Sequence, residues 1–428
     1  MLNTSVLLNT ARPLSRFLQK AARTSSRVQV RGISAFPQLL HAKIVIVDGS
    51  EAFLMGSPFV NDYLDDSAHI PVDATRPTRE LAGRPLHDVS VSLAGAAVAE
   101  LQNVFAEMWD CSVARDGRAD DQTLASPMAE STATTNRVQI VSTIPKRRSA
   151  KRREGATEIL DCLVAAIRTA EDLIYIEHQY LSSRRIVAEL AAALERSRRL
   201  QIVMVLNQNP DITAYQRWQN ARLSESGLLD HPRTGVFSLW SSARGADHRV
   251  SLNQIFVHSK VVTIDDRVAI VGSANLDGVS LDSYGDDFTG RVARRLFRDI
   301  RNFDVAAIIR DSRESLSRGS VADLRTRLWA EHLGMSTDNS QRIRWNDSLA
   351  AWQELASSNV AALREAPNRG ANSPMMKGHV LPYSTEATPL RQLQDLGISA
   401  DTRGVKLEFN PGWLDVRFSP NWIRNMFL

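Results

Sequence analysis

The chain of 428 residues carries 52 basic and 48 acidic side chains, a formal net charge of +4, with 43% hydrophobic and 6% aromatic residues. This composition excludes collagen-like, low-complexity and disulfide-stapled chains, and the near balance of charge does not mark a nucleic-acid binder. Cys111 and Cys162 fit no zinc-ligand spacing, and no apolar run approaches the ~18 residues of a membrane span. At a prior of ~150 residues per domain, two or three core units are expected.

From Met1 to Val47 there is no Asp or Glu. An Arg- and Ser-rich, acid-free start is also the composition of a transit peptide. SVLLNT, PLSRFLQKAART and RVQVRGI read instead as strand, helix and strand, and that reading is preferred. Ile44–Val47 and Ala52–Met55 follow as two strands, joined by a turn at Asp48-Gly49. Arg84–Asp110 reads as a strand and a helix, and Ser112–Thr135 as a polar linker. RVQIVSTIP is a strand. The basic run after it, from Lys146 to Arg153, reads as a solvated loop, with contact to anionic lipid as the alternative. Ala156–Ala170 has helical periodicity. LIYIEHQYL, IVAELAAALERSRR and LQIVMVLNQ form a strand–helix–strand unit, hence a parallel pair. His178 ends the first of these strands and reads as a packed histidine. Ser283–Arg301 is an insertion whose Arg291, Arg294, Arg295, Arg298 and Arg301 either face solvent or guide anionic groups. NFDVAAIIRD is a strand and LRTRLWAEHLG a helix. SLAAWQELASSNVAALREA is an amphipathic helix. The tail from Asn372, with Trp413, Phe418 and Trp422, is expected to pack back onto the domain.

One internal repeat organises the chain. HAKIVIVDGSEAFLMGS starts at His41 and HSKVVTIDDRVAIVGSAN at His258, 217 positions later. Both read H-x-K-x4-D, then a turn and a second apolar run ending in Gly-Ser. A period so long indicates two copies of a domain-sized unit. Strand alternation projects His41 with Lys43 and His258 with Lys260. Asp48 and Asp265 end their strands at the hairpin, on the opposite alternation, where they organise the turn. A lysine beside each histidine makes a poor metal site and a good anion site. Lys43 and Lys260 can hold phosphate oxygens, with Ser57, Ser273 and Asn275 as further donors. Two histidines facing one phosphorus can divide the work of nucleophile and general acid/base, with no metal or other cofactor needed.

These residues resemble the phospholipase D superfamily, whose signature is this motif in two copies followed by Gly-Ser-x-Asn. IYIEHQYL at 174–181, Arg84–Asp110, NFDVAAIIRD at 302–311 and LRTRLWAEHLG at 324–334 extend the likeness over roughly Leu2 to Gly334. The resemblance implies an α/β fold of two pseudo-repeated α/β/α sandwich half-domains with mixed sheets, sharing one central active site. It implies a catalytic set of His41, Lys43, Asp48, His258, Lys260 and Asp265, with His41 as nucleophile and His258 as acid/base. It assigns Ser57, Ser273 and Asn275 to the phosphate, and Asp88 and Asp304 to orienting each catalytic histidine from the closing strands.

Two departures stand out. In the first copy Asn61 comes two positions later than Asn275 does in the second. The first half is also short by about one strand–helix unit. The expected organisation is a first half over 1–110, a linker over 111–135, a second half over 136–334 and a helical or irregular appendage over 335–428. The function implied is hydrolysis of a glycerophospholipid to phosphatidic acid and an alcohol, or transfer to another alcohol. A cardiolipin synthase-type phosphatidyltransferase and a nuclease of the superfamily are the alternatives, and a catalytically dead lipid-binding module is a third. The expected protein is a monomer that meets its phospholipid substrate at a membrane surface, with no nucleic-acid partner. The expected location is cytoplasmic or peripheral to a membrane, with export as an effector the alternative.

Overall fold

The computed structural model describes residues 4–8, 20, 28–32, 39–59, 61–76, 83–113, 136–149, 151–208, 213–281, 295, 299–311, 319–400 and 404–408. Most of the expected N-terminal helix, linker and arginine-rich insertion lie outside these residues, as do Trp413, Phe418 and Trp422.

The strands in chain order are β1 (Thr4–Leu8), β2 (Val28–Gly32), β3 (Ile44–Val47), β4 (Glu51–Leu54), β5 (Leu86–His87), β6 (Val91–Ala94), β7 (Asn136–Ile144), β8 (Ala156–Thr157), β9 (Leu173–His178) and β10 (Gln201–Leu206). They continue with β11 (Thr234–Arg244), β12 (Val250–Gln254), β13 (Phe256–Val257), β14 (Lys260–Ile264), β15 (Val268–Gly272), β16 (Asp304–Asp311), β17 (Val380–Pro382) and β18 (Val405–Leu407). The helices used below are α1 (Ala96–Val113), α2 (Glu158–Arg168), α3 (Arg184–Arg196), α4 (Thr213–Glu225), α5 (Ser320–Leu333), α6 (Thr337–Gln341) and α7 (Ser348–Arg369).

One mixed sheet dominates, in the order β18-β12-β11-β10-β9-β14-β15-β16-β7-β8, with β17 added beside β11. β9, β10 and β11 run parallel, as a strand–helix–strand connection requires. Their apolar residues alternate between two cores. Ile174, Ile176, Ile202 and Met204 face α2 and α3, through Ile159, Leu163, Ile186 and Leu190. Tyr175, Val203 and Val205 face the other way, onto Trp329 of α5 and Trp352 of α7. Continuous apolar strands are what a sheet buried on both faces demands.

The repeat is visible as topology. β3-β4-β6 form an antiparallel three-stranded sheet, and β14-β15-β16 repeat that order within the large sheet. Both hairpin turns place two successive residues at positive φ, Asp48 with Gly49 and Asp265 with Asp266, the geometry of a type I′ turn. The first copy packs Ala52, Leu54, Leu93, Val98 and Leu101 against Ile140, Phe303 and Val305, so the two copies share a core. β1 and β2 pair in parallel, as the strand–helix–strand reading of the N-terminus requires.

The segment after Gly334 does more than append helices. β17 and β18 extend the large sheet, and Trp352, Ala356 and Val380 enter its second core. The apolar face of α7 is needed to cover β10 and β11. The basic run is also partly structural. Arg152 binds Glu107 of α1 (2.5 Å) and Glu158 of α2 (2.9 Å). Arg301, read as a possible guide for anions, is buried and paired with Asp299 at 2.6 Å.

Candidate active site

The two motifs meet through an exchange of backbone between the copies. The N–H groups of His41 and Ala42 both donate to Phe303 O, the carbonyl just before Asp304. Reciprocally, β5 pairs with β13, and His258 N donates to His87 O, the carbonyl just before Asp88. Each histidine is thereby set beside the carboxylate of the other copy. His41 Nδ1 lies 2.8 Å from Asp304 Oδ1, and His258 Nδ1 lies 2.7 Å from Asp88 Oδ2. The expected orienting pairs are present, and they run crosswise rather than within each half.

The serines of the Gly-Ser elements complete each pair. Ser273 Oγ donates to Asp304 Oδ1 at 2.6 Å, and Ser57 Oγ donates to Asp88 Oδ2. Ser273 also accepts from Val305 N at 3.1 Å. Both hydroxyls, expected as phosphate donors, donate here to the carboxylates. The glycines before them permit this closeness. A Cβ at Gly56 would collide with the Asp88 carboxylate, and one at Gly272 with Val305 O and Ala306.

An ionised carboxylate only accepts hydrogen bonds, so each Nδ1 carries the proton and each Nε2 is left with its lone pair. Burial opposes ionisation of Asp88, yet His258, Lys260 and the Ser57 hydroxyl hold it well below the usual carboxylate range. Asp304 is likewise lowered against burial, by His41, Ser273 and Lys43. Desolvation, then Lys260, pushes His258 down to about 3, although Asp88 pulls the other way. His41, whose side chain is 22% exposed, is lowered by burial and by Lys43. Burial lowers Lys43 to about 8, against the pull of Asp304 and Asp88. Lys260 Nζ reaches the His258 carbonyl and lies 3.1 Å from its Nδ1. Each lysine thus acts on both histidines. The free site holds neutral imidazoles between ammonium groups, an arrangement that favours an anion.

Asn275 is buried, and its Oδ1 has no hydrogen-bond partner among the described residues. Asn61 is exposed in a short 3-10 turn, so it does not mirror Asn275. Asp48 and Asp265 are not brought to the centre. Asp48 is exposed in its turn. Asp265 sits at the far end of β14, where its carboxylate accepts from the N–H groups of Glu171, Asp172 and Leu173 at 2.8–2.9 Å. Asp265 therefore anchors the start of β9 to the hairpin.

Three further residues lie beside these groups, of which the sequence singled out only His178, as a packed histidine. The Tyr63 ring packs edge-on against the His258 imidazole, with centroids 4.9 Å apart. Nothing in NDYLDD signals that contact. His178 pairs with Lys260 across β9 and β14, and burial and Lys260 push it down to about 3. Asp277 follows Asn275 by two positions, and burial raises it to about 6. Its place in SANLD was the available signal.

The family model described as cardiolipin synthase, PLD-like domain, matches residues 163–288, and the phospholipase D model matches 240–403. Phospholipase D A of Dictyostelium discoideum is 24% identical over 326 residues, covering 68% of this chain and 24% of that protein. Phospholipase D zeta 2 of Arabidopsis thaliana is 25% identical over 227 residues, covering 44% of this chain and 21% of that protein. The match thus spans about a quarter or less of the length of these relatives. The crystal structure of phosphatidylserine synthase from Haemophilus influenzae superposes with a TM-score of 0.43 at 10% identity, covering 74% of this chain and 79% of that one. With the paired motifs, the α/β fold and the matches to the two family models, the chain belongs to the phospholipase D superfamily.

Proposed function

We propose that the protein is a phospholipase D-type phosphodiesterase. It cleaves a glycerophospholipid to phosphatidic acid and the head-group alcohol through a covalent phosphohistidine. The observation that supports this reading is the crosswise tie of both Nδ1 atoms, which leaves two Nε2 atoms free between Lys43 and Lys260.

In this scheme the phosphodiester anion binds between the two ammonium groups, with the Asn275 amide as a further donor. Its charge offsets the burial and the Lys260 repulsion that keep His258 neutral, so His258 Nε2 can take up the proton an acid requires. The His41 Nε2 lone pair attacks phosphorus in line. The P–N bond forms as the P–O bond to the head group breaks, and His258 gives its proton to the leaving oxygen. His258 Nε2 then takes a proton from water. The new P–O bond forms, the P–N bond breaks, and His41 returns to its neutral form. Asp304 stabilises the positive charge that His41 carries during transfer. An alcohol in place of water gives a transferred phosphatidyl group. Such transfer, of the cardiolipin synthase type, is the second reading, favoured by the family model over 163–288.

The test is incubation of the purified chain with phosphatidylcholine or phosphatidylethanolamine and ethanol, with a chelator present. Phosphatidylethanol formed by the wild type supports the reading. Cleavage of DNA without turnover of any lipid refutes it in favour of a nuclease.

A pH dependence follows from Lys43. Its ammonium is lost as pH rises through about 8, and the anion cradle weakens with it. kcat/KM, which reports the free enzyme, already falls with pH as the His258 acid loses its proton, and is expected to fall by up to about tenfold per unit more steeply once Lys43 is deprotonated. In Lys43→Arg this added steepness is expected to disappear, because guanidinium stays charged. A wild-type profile with no change of slope between about pH 7 and 10 would contradict the assignment.

A further inference from the structure

Directly behind the site lies a second group of ionisable residues that the proposed chemistry does not use. It forms on the opposite strand alternation. His87 precedes Asp88, Glu177 precedes His178, and Ser259 lies between His258 and Lys260. These residues face α5, while His258 and Lys260 project the other way. Glu177 is completely buried and has four groups around it. Tyr175 OH donates to Oε2 at 2.6 Å, and the Ser259 hydroxyl donates to Oε1. His332 Nε2, from α5, lies 2.9 Å from Oε2. His87 Nε2 lies 2.6 Å from Oε1, in an ion pair.

The network continues outward with alternating charge. His87 Nδ1 lies 2.8 Å from Glu331 Oε1. Glu331 Oε1 also meets His69 Nε2 at 3.1 Å, and His69 Nδ1 meets Asp65 Oδ2 at 3.1 Å. Arg76 closes the chain on Asp65 at 2.9 Å. His379 stacks edge-on against His69. With a carboxylate at each ring nitrogen, His87 and His69 are both imidazolium cations. Burial opposes the charge on His87, but Glu177 and Glu331 raise its pKa well above the ordinary value. His69 is raised in the same way by Asp65 and Glu331. His332 stays neutral, lowered by burial, with Nδ1 unpartnered among the described residues.

We propose that Glu177 and His87 are positioning residues for the reacting pair. Glu177 grips the residue next to Asp88 and the residue next to His258 at once. It therefore fixes from behind the contact that Asp88 and His258 make in front. His87 and His69 come from the first copy, and Glu177 and Glu331 from the second. The same ion pairs thus hold the two copies in register. A buried carboxylate that loses a cationic partner is left uncompensated, so the network forms as a unit.

The test uses the full chain and dibutyrylphosphatidylcholine, a short-chain lipid, with histidine imidazoles labelled with ¹⁵N. In the wild type both ring nitrogens of His87 are expected to remain protonated at pH 8. In Glu177→Gln the His258 Nδ1 proton resonance is expected to shift, as its hydrogen bond to Asp88 loosens. kcat is expected to fall about 10²-fold with KM changed less than about threefold, the cost of misplacing a reacting group by an ångström or so. Glu177→Gln combined with His87→Gln, which replaces the ion pair with an amide pair, is expected to recover part of that loss. If Glu177→Gln fails to fold, Ser259→Ala tests the same grip without touching a charge. Expected for it are a smaller fall in kcat and the same displaced His258 resonance.

Wild-type kcat with an unshifted His258 proton in both single variants would overturn the proposal. So would one equivalent of zinc retained through gel filtration with His87 and His332 deprotonated, since those atoms and Glu177 lie within 4.8 Å of one another. The kinetic arm rests on the phosphodiesterase reading. The resonance arm does not, so failure of wild-type lipid turnover would refute that reading while leaving the positioning claim to be judged on His87 and His258.

Discussion

Replacing His41 with alanine is expected to lower kcat at least ~10⁴-fold, the scale of losing the nucleophile from a covalent mechanism. His258→Ala is expected to be as inactive on phosphatidylcholine, for a different reason. With no acid to protonate it, a choline alkoxide is a poor leaving group. Nitrophenolate needs no proton. On phosphatidyl-p-nitrophenol, His258→Ala should therefore release about one equivalent of nitrophenol in a burst and then stall as the phosphohistidine. His41→Ala should give no burst. Rapid-mixing absorbance measures both. A burst from His41→Ala would exchange the two roles.

The crosswise carboxylates give the second large effect. Asp304→Asn and Asp88→Asn are each expected to lower kcat by ~10²–10⁴-fold, because an amide NH₂ at Nδ1 stabilises the wrong tautomer and removes the charge that balances the imidazolium. The pattern on the nitrophenyl substrate separates the pairing. Asp304 lies in the second copy but holds His41, so Asp304→Asn should lose the burst. Asp88 lies in the first copy but holds His258, so Asp88→Asn should keep it. Pairing within each copy would give the opposite pattern. Both variants should retain the fold, since an amide has the shape of the carboxylate and the Ser57 and Ser273 hydroxyls, which share the histidine-facing atom, can accept from its NH₂ instead.

Much of this was legible in the sequence because strand alternation is a local property. The turns at Asp48 and Asp265 are legible because each ends an apolar run and is followed by a second one. The β9-α3-β10 unit was legible for the same reason, since its apolar runs are long and bounded by a polar helix. What could not be read was what crosses between distant segments. Asp88 and His258 are 170 positions apart, and only the pairing of β5 with β13 shows which histidine Asp88 serves. That Ser57 and Ser273 donate to carboxylates could not be read either, because a hydroxyl near an anion site reads the same whether it faces substrate or carboxylate. β17 and β18 are three residues each, too short to carry a periodic signal, and become strands through pairing with β11 and β12. His87, Glu177 and His332 each lie inside a segment that carried the family resemblance. The alternation of His87 with Asp88 and of Glu177 with His178 was the available sign of a second layer.

The central claim is that His41 Nε2 carries the phosphatidyl group. The most direct measurement is acid-free quenching of the wild type and His258→Ala with phosphatidyl-p-nitrophenol, followed by proteolysis and mass spectrometry at neutral to alkaline pH. A phosphatidyl adduct is expected on the peptide containing His41, accumulating in His258→Ala, absent from His41→Ala and lost on brief acid treatment. An adduct on His258, or steady turnover with no adduct on either histidine, would contradict it.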